Sequence, residues 1–190
     1  MMNKPTKANA QRNSKRAVRG FLSLEAGLVL LVVAILTVVS IIGYRSHLRK
    51  TSVNTNVSHM IALSGAAQAK YGQANQYGSM TTAVAVSGNV IPAELRDGPG
   101  AATATNSFGG AIAVVPATLT GANDAIRVTW PNVTSEQCSD IVMGIQASAR
   151  LIQVAGADVK ATDGLINIAN TEAQCESAPT VAIDMFVGRS

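Results

Sequence analysis

Residues 21–44 form a run of 24 with one side chain charged at neutral pH, Glu25. About 20 apolar residues cross the hydrocarbon layer of a bilayer as a helix, so this run is long enough to span. A secretory signal has a shorter apolar stretch, roughly 7–15 residues, and ends at a small-residue cleavage site. No A-x-A site follows here. Lys4, Lys7, Arg12, Lys15, Arg16 and Arg19 precede the run, with no acid among the first 20 residues. That bias predicts a cytoplasmic N-terminus and export of the rest. Arg45, Arg49 and Lys50 weaken the asymmetry without reversing it.

The net charge of +4 belongs to the leader. Six of the 15 basic residues lie there, which leaves nine against 11 acidic ones. A nucleic-acid partner needs a basic face on the folded domain, and none is expected. In 190 residues the sequence predicts one domain plus an anchor.

A one-span anchor does not explain Glu25. A charge inside a spanning helix costs on the order of 3 kcal/mol and usually marks function. No Lys or Arg shares its face within the run. A cut after Gly20 would create a partner, the free α-amino group of Phe21. A basic leader, then Gly20, Phe21, Glu25 and an unbroken apolar helix resembles the type III signal of type IV pilins and pseudopilins. The resemblance implies cleavage between Gly20 and Phe21 by a prepilin peptidase, N-methylation of Phe21, and a role for Glu25 in assembly. There its carboxylate would complement the terminal amine of a neighbouring subunit, an attraction that a low-dielectric layer strengthens.

Val53, Val57, Ile61, Ser64 and Ala67, with Met60 beside them, recur at helical steps, while Asn54, Ser58, Gln68 and Lys70 take the other face. One helix is expected from about residue 23 to 71, roughly 70 Å long at 1.5 Å per residue. Its second half should pack on a globular head. Gly43 sits near the junction as a place for a bend. His47 and His59 read as surface polar residues. The expected organisation is a removed leader 1–20, a membrane and filament-core helix 21–44, its amphipathic continuation 45–71, and an α/β head 72–190. The fold class is α+β, a long N-terminal helix on a small antiparallel sheet.

Residues 72–110 are loop-rich, with a short strand over 81–86 and a firm turn at Asp97-Gly98-Pro99-Gly100. Residues 111–115 and 125–130 read as an antiparallel pair, with Trp130 in packing. Thr134-Ser135-Glu136-Gln137 fits a capping box for a helix over 138–150. Val159 and residues 165–168 read as short strands. Asn170 begins a second helix start just before Cys175, and residues 180–188 alternate as a last strand.

Cys138 and Cys175 are the only cysteines and both fall in the exported part. An oxidising compartment makes a disulfide the default reading. A reactive thiol or half a metal site are the alternatives, and neither cysteine has a His or acid at ligand spacing. A C-terminal disulfide bounding residues 138–175, and the long leader, resemble the type IVb subclass, which holds the toxin-coregulated, bundle-forming and conjugative thin-pilus pilins. Phe21 departs from that subclass and is typical of the other one.

No catalytic constellation, metal site or cofactor motif is found, and Asp140, Asp158, Asp163 and Glu172 read as solvated. Asn132-Val133-Thr134 matches a glycosylation sequon and is taken as chance. The resemblance implies a non-enzymatic structural subunit, held in the inner membrane before assembly and then part of an extracellular helical homopolymer. Its partners would be itself, the peptidase and the inner-membrane assembly machinery. Such a filament serves adhesion, aggregation or conjugative mating. A minor pilin or type II secretion pseudopilin shares the N-terminal signal. A membrane-anchored periplasmic binding domain that never polymerises is the alternative of another class.

Overall fold

The computed structural model describes residues 14–72 and 77–189, with side chains from Ala26 onward except at positions 42, 43 and 45. The chain divides into two units, Met1–Leu48 and Arg49–Ser190. Helix α1, Ser14–Ala67, supplies residues to both and ends in a π-helical turn, Gln68–Gly72. It is helical through Gly43.

The second unit is the head. Its order is α2 (Thr82–Ser87), β1 (Ala113–Ala117), β2 (Ala125–Thr134), α3 (Ser135–Ile145), β3 (Leu151–Val154), β4 (Ala157–Lys160), α4 (Ile168–Cys175) and β5 (Thr180–Gly188). All pairings in the sheet are antiparallel, and the strand order is β1-β2-β5-β3-β4. The last strand in sequence is therefore the central one. Its burial alternates, with Val181, Ile183, Met185 and Val187 inward. Ile126, Val128 and Trp130 of β2 and Ile152 and Val154 of β3 share that buried layer. Val53, Met60, Leu63 and Ala67 of α1 complete it, at steps of seven, three and four residues along one helix face.

Local chemistry corrects several expectations. Residues 81–86 are not a strand. The Thr81 hydroxyl accepts from the Val84 amide at 3.3 Å and caps α2, which buries Ala85 and Val86. The first strand lies two residues later than expected. The strand after it runs on to Thr134, with a register shift between Trp130 and Val133 that accommodates Asn132 at φ +62°. The capping box does not form. The Thr134 side chain makes no cap bond, and the Ser135 amide donates to the Pro179 carbonyl at 3.1 Å. The helix there stops at Ile145 rather than Arg150, because the Arg150 amide joins the sheet at the Phe186 carbonyl, 2.9 Å away. The sequence reading missed β3. Its hairpin to β4 turns on Ala155 and Gly156 at φ +50° and +81°, where the usual Asn or Asp signal is absent. Residues 165–168 hold no strand. Ile166 makes a single bridge to Lys160, and Asn167 caps α4 by accepting from the Asn170 amide at 3.0 Å.

Two positions on α1 are also corrected. Ile61 is exposed, and Asn56 takes the inward place. His59 is half-buried, with Nδ1 shielded and no hydrogen-bond partner among the described residues. Trp130 is fully buried, as expected.

Candidate assembly surface

In the first unit every described side chain from Ala26 to Leu48 is exposed. Leu28, Leu31, Ile35, Val38 and Val39 present an apolar surface that none of the described residues covers. The helix is long and apolar enough to cross a membrane. The two hydroxyls between Ala26 and Ile41 are satisfied within the helix, as an apolar layer requires. Thr37 Oγ1 donates to the Ala34 carbonyl at 2.8 Å, and Ser40 Oγ to the Leu36 carbonyl at 2.7 Å. Gly20, Phe21 and Glu25 lie within α1 along the backbone, but their side chains fall outside the described residues, as does the leader before Ser14.

In the head, α1 is fixed by polar groups as well as packing. Asn56 is fully buried. Its Nδ2 donates to the Ser52 carbonyl at 2.8 Å and to Ser107 Oγ at 2.7 Å, and its Oδ1 accepts from Trp130 Nε1 at 3.1 Å. One carboxamide thus joins the helix, the loop before β1 and the sheet, and it partners the indole N–H that burial would otherwise orphan. Ser64 Oγ donates to the Ser148 carbonyl at 2.9 Å. Arg49 reaches Glu136 at the start of α3, at 3.3 Å to the carboxylate and 2.7 Å to the backbone carbonyl. Both side chains are well solvated, so the pair contributes under about 1 kcal/mol. Helix α3 lies close on α1 at Gly144, where an added Cβ would stand 2.6 Å from a Val57 methyl.

Cys138 of α3 and Cys175 of α4 form a disulfide with Cα atoms 5.6 Å apart, and both are buried. Among the acids expected to be solvated, Asp140, Asp158 and Glu172 are exposed. Asp163 is exposed too, but it is paired with Arg150, with Nε to Oδ1 at 2.9 Å. That hydrogen bond, then the guanidinium charge, holds its carboxyl below the usual range. Lys160 donates to the Gln146 and Ala149 carbonyls in the turn after α3, and its burial lowers its pKa. Burial pushes the Asp124 carboxyl up, but amides of Leu119, Thr120 and Gly121 and the Thr120 hydroxyl outweigh it and hold the pKa far below 3.8. Among the described residues no three His, Cys, Asp or Glu side chains converge as a metal site.

Sequence reasoning missed Asn56 and Gly144. Asn56 lies three residues before His59 and four before Met60, so its place on the inward face was open to a period count, but its amide pattern masked it. Gly144 carries no sequence signal for helix–helix contact.

A family model described as PilS N terminal matches residues 48–185. No curated protein sequence gives a significant match. Among solved structures, TcpA, a type IV pilin from Vibrio cholerae El Tor biotype, superposes with a TM-score of 0.55 at 16% identity, over 72% of this chain and 98% of that one. A type IVb pilin from Salmonella typhi superposes with a TM-score of 0.54 at 20% identity, over 72% and 99%. At these identities the likeness is one of fold.

Proposed function

Since the chain belongs to the PilS N-terminal family and its head has the type IV pilin fold, we propose that it is the structural subunit of a type IVb-like pilus. It is made as a prepilin, cleaved after Gly20, methylated at the Phe21 amine and added to a helical homopolymer. The membrane holds it before assembly; afterwards it lies in an extracellular filament that serves adhesion, aggregation or conjugative mating.

The observation that carries this reading is the exposed apolar surface between Ala26 and Ile41. Apolar area of that extent is unfavourable in water at about 25 cal/mol per Å². Lipid covers it in the membrane, and helices of neighbouring subunits cover it in a filament. Within that apolar layer Glu25 is penalised when alone and favoured beside the amine of the next subunit. Subunit addition is therefore coupled to charge pairing, and the heads, with their own cores, coat the outside.

Intact mass measurement with N-terminal fragmentation on filaments sheared from cells tests the reading. The expected chain begins at a methylated Phe21, with Cys138 and Cys175 oxidised. A full-length chain recovered only in membranes would overturn it.

A further inference from the structure

A five-stranded open sheet has two edges, and an uncovered edge is a template on which another chain can add a strand. In an antiparallel pair alternate residues of the edge strand turn their amide and carbonyl away from the partner. On β1 and the residue just before it the outward set is Ile112, Val114 and Pro116, because Val114 is bonded away from β2. Each is closed differently. The Ile112 amide donates to the Ala104 carbonyl at 2.8 Å. The Val114 amide donates to Thr82 Oγ1 at 2.9 Å, and the same hydroxyl lies 3.5 Å from the Val114 carbonyl. Pro116 has no amide proton to offer.

At the far edge two backbone carbonyls are occupied as well. On β4 the Asp158 carbonyl accepts from Asn170 Nδ2 at 2.6 Å, and the Val159 carbonyl accepts from the Asn167 amide at 2.8 Å. Asn167 caps α4 and Asn170 lies in its first turn, and α4 is tied to α3 through Cys175 and Cys138.

We propose that these contacts are a specificity device that shuts both edges of the head's sheet to strand addition, with Thr82 the blocking residue at β1 and the disulfide-held α4 the cover at β4. Thr82 takes the place of a neighbouring strand, matching one amide of Val114 with a side-chain oxygen. Heads then meet other heads only through side chains, and register between subunits is left to the helices. The inference concerns the head alone and stands whether or not the chain is processed at Gly20.

The test uses the full chain in detergent micelles, with amide exchange read residue by residue and self-association read by sedimentation and thioflavin fluorescence. Thr82→Val keeps the shape and removes the acceptor. The expected result is Val114 amide exchange roughly tenfold faster, unchanged protection at Ile183 and Met185, and concentration-dependent β-rich association. Thr82→Ser should restore the native values. Pro116→Ala, which adds an outward amide without touching Thr82, is expected to raise association as well, and it serves if Thr82→Val does not fold. Reduction of the disulfide should speed exchange and association at the β4 edge while leaving Val114 protected. Two results would overturn the proposal: native exchange and no association in Thr82→Val and Pro116→Ala, or faster exchange shared equally by the central strand.

Discussion

The two halves of α1 share one backbone geometry and differ in what their side chains meet. From Ala26 to Ile41 the helix is apolar on all sides, and every described side chain there is exposed. From Val53 to Ala67 one face is apolar, and it is buried with Asn56 and Ser64 satisfied inside it. An amphipathic stripe completes a core within its own chain, whereas an all-round apolar surface can be completed only by something outside it. The head should therefore respond to substitution as a small globular domain. The first half should leave head stability untouched and affect only membrane retention and assembly.

The largest expected effect on the head is loss of the disulfide. It closes a separation of 37 residues, so Cys138→Ser with Cys175→Ser should lower unfolding free energy by about 4 kcal/mol at most, read by chemical denaturation. Asn56→Ala comes next. It strips the partner from Trp130 Nε1 and should cost about 2–3 kcal/mol. The same change at exposed Asn54 should cost almost nothing. Gly144→Ala should cost about 1–3 kcal/mol, because the new methyl meets Val57 and α3 has to move off α1. Acid sensitivity is smaller. The folded pKa values of Asp124 and Asp163 are depressed, so the stability they give is present above the ordinary value near 3.8. It is lost as pH falls through the lower folded values. Unfolding midpoints should drop below about pH 4, and Asp124→Asn should flatten that fall. Arg49→Ala should be the smallest change, under about 1 kcal/mol.

What the sequence conveyed follows the same division. Uninterrupted hydropathy and helical period extend over many residues, so α1 was expected from residues 23–71 alone, and the alternation of residues 180–188 marked β5. The pairing of Cys138 with Cys175 was also expected. Short elements depend on one or two bonds whose partners are distant. Thr81 chose helix over strand for α2, and the Arg150 amide ended α3 by joining Phe186. No local pattern carries those contacts. The β3–β4 hairpin hid behind an Ala-Gly turn. The edge cover by Thr82 requires β1 to be placed against α2, which spacing along the chain does not reveal.

The central claim is that the exposed half of α1 is completed by other subunits, with Glu25 directing their addition. The most direct test compares native protein and Glu25→Ala in cells by electron microscopy of sheared filaments and immunoblotting of membranes. The account predicts no filaments from Glu25→Ala, with membrane-held protein at native level and its Cys138–Cys175 bond intact. Filaments at native abundance in that variant would contradict it.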